Sequence, residues 1–182
     1  MSLFFQHSGV LIRPMTPEDQ PSLFAAVRES IDTVGRWMPW CHPDYSTTDS
    51  DRWIALCQIN WQFGIDREFG IFDAASGDVL GCVGLNLINR INNFGNLGYW
   101  VRASRTGKGI AAIAATMVAR FGFGELQLIR LEVIARVDNS ASRRVAEKIG
   151  CHFEGIARSR LQFKGVPYDA AVYSLLPDDI VG

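Results

Sequence analysis

The chain has 182 residues, of which 48% are hydrophobic and 20% charged, and 18 basic against 19 acidic residues leave a net charge of −1. A chain of this length buries about 70% of its unfolded surface, enough for one domain without disulfide or metal staples, and the composition excludes a disordered or fibrous protein. No apolar run reaches the roughly 18 residues of a membrane span, and the balanced charge gives no overall pull toward nucleic acid or anionic lipid.

In chain order, residues 10–15 read as a short strand. Thr16-Pro17-Glu18-Asp19 then starts a helix reaching about Ser30, with a hydroxyl cap, a first-turn proline and acids near the positive helix end. Residues 31–48 carry Trp37, Pro39, Trp40, Pro43 and Tyr45, an aromatic segment broken by prolines. A second helix is predicted over 48–64. Strands are predicted over 68–73 and 79–89, joined by the turn Ala74-Ala75-Ser76-Gly77-Asp78. An Asn-rich turn leads into a strand over 96–101. The loop 102–109 opens a helix over 110–121, with Gly122-Phe123-Gly124 as its end. A branched, apolar strand covers 128–135, a short helix 140–149, and a last hairpin pairs 151–163 with 166–176 across Lys164-Gly165. With no repeat, low-complexity run or linker, the chain reads as one domain, 1–182, with a core over about 10–176. The order β-α-α-β-β-β-α-β-α-β-β predicts an α/β (α+β) layer fold.

Gly107-Lys108-Gly109-Ile110-Ala111 follows a strand and opens a helix of small residues. Glycines let successive N–H groups point into one hollow, and the helix start adds free donors and partial positive charge, so the loop suits a phosphate. A tight turn with an ordinary helix start is the plainer alternative. The nucleoside triphosphate loop Gly-x4-Gly-Lys-Ser/Thr fails, because Gly109 follows Lys108. The dinucleotide form is met by Gly107, Gly109 and Ala112, but five residues separate Val101 from Gly107 and Glu132 lies mid-strand.

A second block runs from Asn139 through Ser142, Glu147, Lys148 and Gly150 to Phe153, Glu154 and Gly155. It resembles the Asn-x-x-Ser-x-x-x-x-Glu-Lys-x-Gly-Phe-x-x-Glu-Gly signature of the GNAT acetyltransferase superfamily, and most closely its RimJ/RimL-type ribosomal-protein N-terminal acetyltransferases. Cys151-His152-Phe153 departs slightly from that pattern. Gly35-Arg36-Trp37-Met38-Pro39-Trp40, Leu97-Gly98-Tyr99-Trp100-Val101 and Lys164-Gly165-Val166-Pro167-Tyr168-Asp169 support it, so the resemblance covers nearly the whole chain.

The resemblance implies a mixed, mostly antiparallel sheet of about seven strands, helices on both faces and splayed central strands. It implies acetyl-CoA as cosubstrate and transfer of its acetyl group to a primary amine by direct attack in a ternary complex. The acceptor it points to is the N-terminal α-amine of a (ribosomal) protein. Coenzyme contacts would come from Trp100, Val101 and Arg102 along the splayed strand, from Thr106, Gly107, Lys108, Gly109, Ile110 and Ala111 in the loop, and from Asn139 and Ser142. Thr106 stands where the family has Gln or Arg, and Arg105 or Lys108 would supply charge instead. Ser142 is the candidate acid for the leaving thiolate, with Asn139 beside it. Both also read as a helix cap and its N3 recipient. Acceptor contacts are expected from Trp37, Trp40, Asn86 and Tyr99, with core packing as the alternative for the tryptophans. Strand alternation allows only one of Tyr99 and Trp100 to face a given pocket.

The base is the gap in this assignment. Residues 156–165 lack the strand glutamate of RimL-type enzymes, which leaves Glu154, Tyr168, Asp169 or a water relay. An α-amine, with pKa about 7.7–8.0, needs less help than a lysine near 10.4. Rival readings are a small-molecule amine acetyltransferase (antibiotic, polyamine or amino acid), a non-catalytic acyl-CoA-binding module and a dinucleotide oxidoreductase. Cys41, Cys57, Cys82 and Cys151 show no zinc spacing, and His7, His42 and His152 are scattered, so no metal is expected. The opening residues lack a secretion signal, which with the free thiols predicts a cytoplasmic protein; no weight is placed on residues 1–3. Partners beyond the two substrates are not expected, apart from the homodimer common in the family.

Overall fold

The computed structural model describes residues 4–180; residues 1–3, given no weight above, lie outside the described residues, as do the last two. The chain forms β1 (Phe5–His7), β2 (Val10–Arg13), α1 (Gln20–Arg28), α2 (Thr47–Phe63), β3 (Arg67–Asp73), β4 (Val79–Asn89) and β5 (Phe94–Val101). These are followed by α3 (Ile110–Gly124), β6 (Arg130–Arg136), α4 (Ser140–Lys148), β7 (His152–Phe163) and β8 (Val166–Leu175). One eight-stranded sheet runs β1-β2-β3-β4-β5-β6-β8-β7. Every neighbouring pair is antiparallel except β5 and β6.

Two expectations need correction. The sheet has eight strands, because Ser8 and Gly9 take φ of 49° and 77° and close β1 onto β2 in a two-residue turn. Ser-Gly signals such a turn less loudly than Asn-Gly. α3 does end in Gly122-Phe123-Gly124, running to Gly124 rather than to about Phe121. Gly122 is a packing gap within it: a Cβ there would lie 2.7 Å from Leu85 Cδ1 on β4.

Strand alternation divides the apolar residues between two cores. Ile71, Val83, Leu85, Leu97 and Val101 pack with Ala114, Ala115 and Val118 of α3. On the opposite face Phe72, Cys82 and Trp100 pack with Leu23, Val27, Trp53 and Ile54 of α1 and α2. Ser46 caps α2, its amide donating to Asp49 Oδ2 at 2.8 Å. At the β2–α1 corner the Arg13 guanidinium donates to both Asp19 oxygens at 2.7 Å, and the Thr16 amide donates to Asp19 Oδ2 at 2.8 Å.

Burial alone would push Asp19 up, but Arg13 and Thr16 outweigh it and hold the carboxyl below its usual range. A carboxyl lowered on folding stabilises the protein fully above its unfolded pKa, about 3.9, and loses that contribution as pH falls through the folded value. Asp19→Ala should therefore cost about 3 kcal/mol in urea unfolding at neutral pH, with the difference from wild type shrinking below about pH 4.

Candidate active site

The site begins where a ladder stops. β5 pairs with β6 only through Phe94, Gly95 and Asn96, opposite Arg130, Leu131 and Glu132. Beyond Asn96, β5 stays on β4 as far as Val101, opposite Gly81, while β6 stays on β8. The two strands therefore part, and the β5 edge facing β6 is left without a strand partner from Leu97 onward.

A cavity of about 410 Å³ fills this opening. One wall is the helix-opening loop: Gly107 and Gly109 take φ of 74° and 77°, and Gly109 caps α3 without any side chain. The first N–H groups of α3 thus face the cavity unshielded by a capping side chain. Arg105, Arg144 and Lys148 also line it, and among the described residues no acid does. Lys148 Nζ sits 3.5 Å from where a Gly109 Cβ would be. The hollow therefore suits a diphosphate at one end and a peptide-like arm along the free strand edge.

The opposite wall is the start of α4. Asn139 Oδ1 accepts from the Ser142 amide at 3.1 Å, so the helix-cap role is real, and both residues line the cavity as well. The Tyr99 hydroxyl donates to the Ser142 carbonyl at 2.9 Å and accepts from Ser142 Oγ at 3.4 Å. Burial pushes the Tyr99 phenol well above its ordinary range, more than its bond to Ser142 pulls it down.

A second cavity, of about 400 Å³, lies beneath α1 and α2. Its walls are largely apolar, including Leu23, Trp40, Tyr45, Trp53, Leu56 and Trp100. Trp40 meets Trp100 edge-on at 5.5 Å between centroids. Met38, Tyr99 and Trp100 line both cavities, so the two spaces adjoin at the opened strand.

Of the expected coenzyme residues, Trp100, Val101, Thr106, Gly107, Gly109, Ile110, Ala111, Asn139 and Ser142 line the first cavity. Arg102 and Lys108 do not. Arg102 is spent on structure, its side chain paired with Glu29 and its amide donating to the Leu80 carbonyl at 2.8 Å. Lys108 lies in a neighbouring depression with Gln6 and Asp73. Of the expected acceptor residues, Trp40, Asn86 and Tyr99 line the second cavity. Trp37 instead lines the first, with the Arg136 guanidinium 5.1 Å from its ring centroid. Tyr99 and Trp100 each border both spaces, contrary to the expectation of one per pocket, although their side chains do alternate: the Tyr99 hydroxyl reaches Ser142 on α4 and the Trp100 ring packs on the α1 and α2 side.

The three base candidates are engaged elsewhere. Glu154 is held by Arg130 at 2.7 and 2.6 Å, which lowers it to about 2. Asp169 accepts from the Ser159 amide at 2.8 Å, and the Tyr168 ring stacks under Arg136 at 3.8 Å. None of them lines either cavity.

Sequence reasoning missed Arg144 and Lys148, which face the loop only once α4 has docked. It also missed Glu68, whose carboxyl lines the second cavity. Asn86 Nδ2 donates to Glu68 Oε1 at 3.1 Å, and Asn96 Nδ2 donates to Asn86 Oδ1 at 2.9 Å. Burial pushes Glu68 up to about 7, Asn86 pulling it back and the nearby Asp66 charge adding to the rise. In the sequence it was only the first residue of a strand; a charged residue on an otherwise apolar strand face was the available signal.

The described residues hold no cluster of three or more His, Cys, Asp or Glu side chains that could bind a metal, and no helix long and apolar enough to cross a membrane. A family model described as an acetyltransferase (GNAT) domain matches residues 10–152. YdaF of Bacillus subtilis (strain 168), provisionally named a ribosomal N-acetyltransferase, is 30% identical over 171 residues, covering 92% of this chain and 91% of that one. The ribosomal-protein-serine acetyltransferase of Escherichia coli (strain K12) is 30% identical over 108 residues, 59% of each chain. In fold, the chain superposes on RimL, a ribosomal L7/L12 alpha-N-protein acetyltransferase solved with coenzyme A, with a TM-score of 0.86 at 21% identity, covering 95% and 97% of the two chains.

Gly109→Asp should weaken coenzyme A binding by roughly 100-fold or more, about 2.7 kcal/mol, in titration calorimetry. The variant puts a carboxylate where the diphosphate charge would lie, at a φ of 77° that disfavours any side chain.

Proposed function

As the chain belongs to the GNAT acetyltransferase family, we propose that it moves the acetyl group of acetyl-CoA onto the N-terminal α-amine of a cytoplasmic protein, a ribosomal protein foremost, by direct attack with both substrates bound. The observation that carries this reading is the pairing of two adjoining cavities of opposite character. One is lined by three cations and, among the described residues, no acid; the other is largely apolar, with Glu68 on its wall and Asp49 paired there with Arg52 at 4.0 Å. The first fits an anionic carrier and the second an ammonium on an apolar body. The ribosomal acceptor is supported by the names of the relatives above.

Acetyl-CoA supplies an activated thioester. The residues of this chain do the rest. The glycine loop and Arg105, Arg144 and Lys148 hold the diphosphate end, while the free edge of β5 pairs with the amide-bearing arm. Asn139 fixes the first turn of α4, which keeps Ser142 Oγ at the reacting end. Ser142, bonded to Tyr99, gives its hydroxyl proton to the departing thiolate and is recharged through the phenol. Holding amine and thioester together contributes several kcal/mol of rate enhancement.

Direct attack is supported by the thiols. An acetyl-cysteine route needs a thiolate at neutral pH. Burial instead pushes Cys57 and Cys151 to about 12 and raises Cys41 and Cys82. The aromatic walls around Trp40, Tyr45 and Trp53 support a second reading, a small aromatic or apolar amine as acceptor.

An acetylation assay over N-terminal peptides and a panel of small amines separates the two. Turnover of peptides is expected, and turnover of small amines alone would remove the first reading. Ser142→Ala should lower kcat at least ~10-fold while changing coenzyme A affinity much less; an unchanged kcat would leave Ser142 with the helix-cap role alone.

A further inference from the structure

We infer that Glu68 is the general base, taking from the acceptor's ammonium the proton it must lose before attack, across a glycine-floored trough that leads from β3 to the open edge of β5. This rests on the amine-acetylation reading above and fills its missing role.

The trough follows from register. Glu68 lies opposite Gly84, and Gly84 lies opposite Gly98. The row crosses two strand spacings, roughly 10 Å, and ends beside Tyr99 and Trp100, where the cavities adjoin. A Cβ on Gly84 would lie 2.1 Å from Glu68 Oε2, so the carboxylate lies over the bare backbone of β4 and reaches toward β5. Gly98 keeps the far end open; its nearest neighbour is the Asn86 amide, 3.5 Å from where its Cβ would be. Glu68 thus meets the amine directly or through one water.

Its partners leave it free to take a proton. Asn86, held in turn by Asn96, orients one oxygen without supplying charge. Among the described residues no cation forms an ion pair with Glu68. The other acid of the cavity, Asp49, is committed to capping α2 through Ser46. The remaining titratable groups around it are Asp66 beside its own strand, Cys57 on α2 and Cys82 on β4, with His42, Tyr45, Asp49, Arg52 and Tyr99 elsewhere on the cavity wall. Burial keeps both thiols protonated at neutral pH.

The proton balance closes. Glu68 takes one proton from the ammonium, and the neutral nitrogen forms its bond to the acetyl carbon as the carbon–sulfur bond breaks. The thiolate takes the Ser142 proton, the second proton of the nitrogen returns to Ser142 through Tyr99, and Glu68 releases its own to solvent. With Glu68 near 7, transfer from an α-ammonium at about 7.7–8.0 is almost level, whereas transfer from lysine near 10.4 is uphill by more than three decades. An α-amine is therefore the acceptor that suits Glu68 as base.

The test is steady-state kinetics on a lysine-free peptide with a free N-terminus, comparing wild type, Glu68→Gln and Gly84→Ala. Glu68→Gln should lose roughly 100-fold in kcat and the limb of the kcat–pH profile near 7, leaving the limb of the substrate's own amine. Its coenzyme A affinity should be unchanged by calorimetry. Its melting temperature at pH 8 should not fall, because a carboxyl raised on folding destabilises the fold increasingly as pH rises above its unfolded pKa, about 4.3, and in full once pH exceeds the folded value. Gly84→Ala, which pushes the carboxylate off its seat, should show the same kcat loss with Glu68 intact. An unchanged kcat and profile in Glu68→Gln, beside an active wild type, would overturn the inference alone. A wild type that binds coenzyme A and acetylates no amine would remove the parent reading and this one with it.

Discussion

The parting of β5 from β6 is the constraint on which the rest of the molecule depends. A parallel pair is slightly weaker per residue than an antiparallel one, and here each partner has a stronger antiparallel neighbour. β5 follows β4 as far as Val101 and β6 follows β8 as far as Arg136, so the two sheet halves twist apart once the short parallel contact at Phe94, Gly95 and Asn96 is spent. The backbone groups left at that opening need partners. In the proposed complex an extended, amide-bearing ligand would supply them, turning a requirement that counts against the fold into binding energy.

The same opening brings the two faces of the sheet together at the place where the proposed reaction would draw on both. The α3 and α4 side gathers positive charge without any single strong ion pair: helix-start N–H groups, two residues of α4 and one arginine of the loop. The α1 and α2 side is apolar, which makes a lone carboxylate costly and therefore basic. Each face alone is an ordinary packing layer. Chemistry becomes available only where Tyr99 and Trp100, on the unpaired edge, belong to both.

What could be read in the sequence was local. The glycine loop, the Asn139–Ser142 cap and the strand Leu97–Val101 each occupy a few consecutive residues, and the structure brings them to one cavity. What could not be read came from register and docking. Glu68 owes its environment to Gly84 and Asn86 on the next strand and to two helices that end 5 and 40 residues earlier in the chain. Arg144 and Lys148 were visible as helix residues, but the face they present depends on where α4 settles. Trp37 and Trp40 are three residues apart in an irregular segment, where no periodicity says which cavity each will reach, and the structure sends them to different ones. Gly122-Phe123-Gly124 was legible as the end of α3, but the second role of Gly122, making room for Leu85, was not, because Leu85 is far away in sequence.

The phenol of Tyr99 crosses from β5 to the first turn of α4 and closes a link that the main chain leaves out. Two sheet halves sharing three residue pairs would be free to breathe about that short contact. The strut spans the opening at the reacting end, tying β5 to α4 where the ladder between the halves is missing. The molecule is thereby a jaw of set gauge, its width at the reacting end fixed by one phenol.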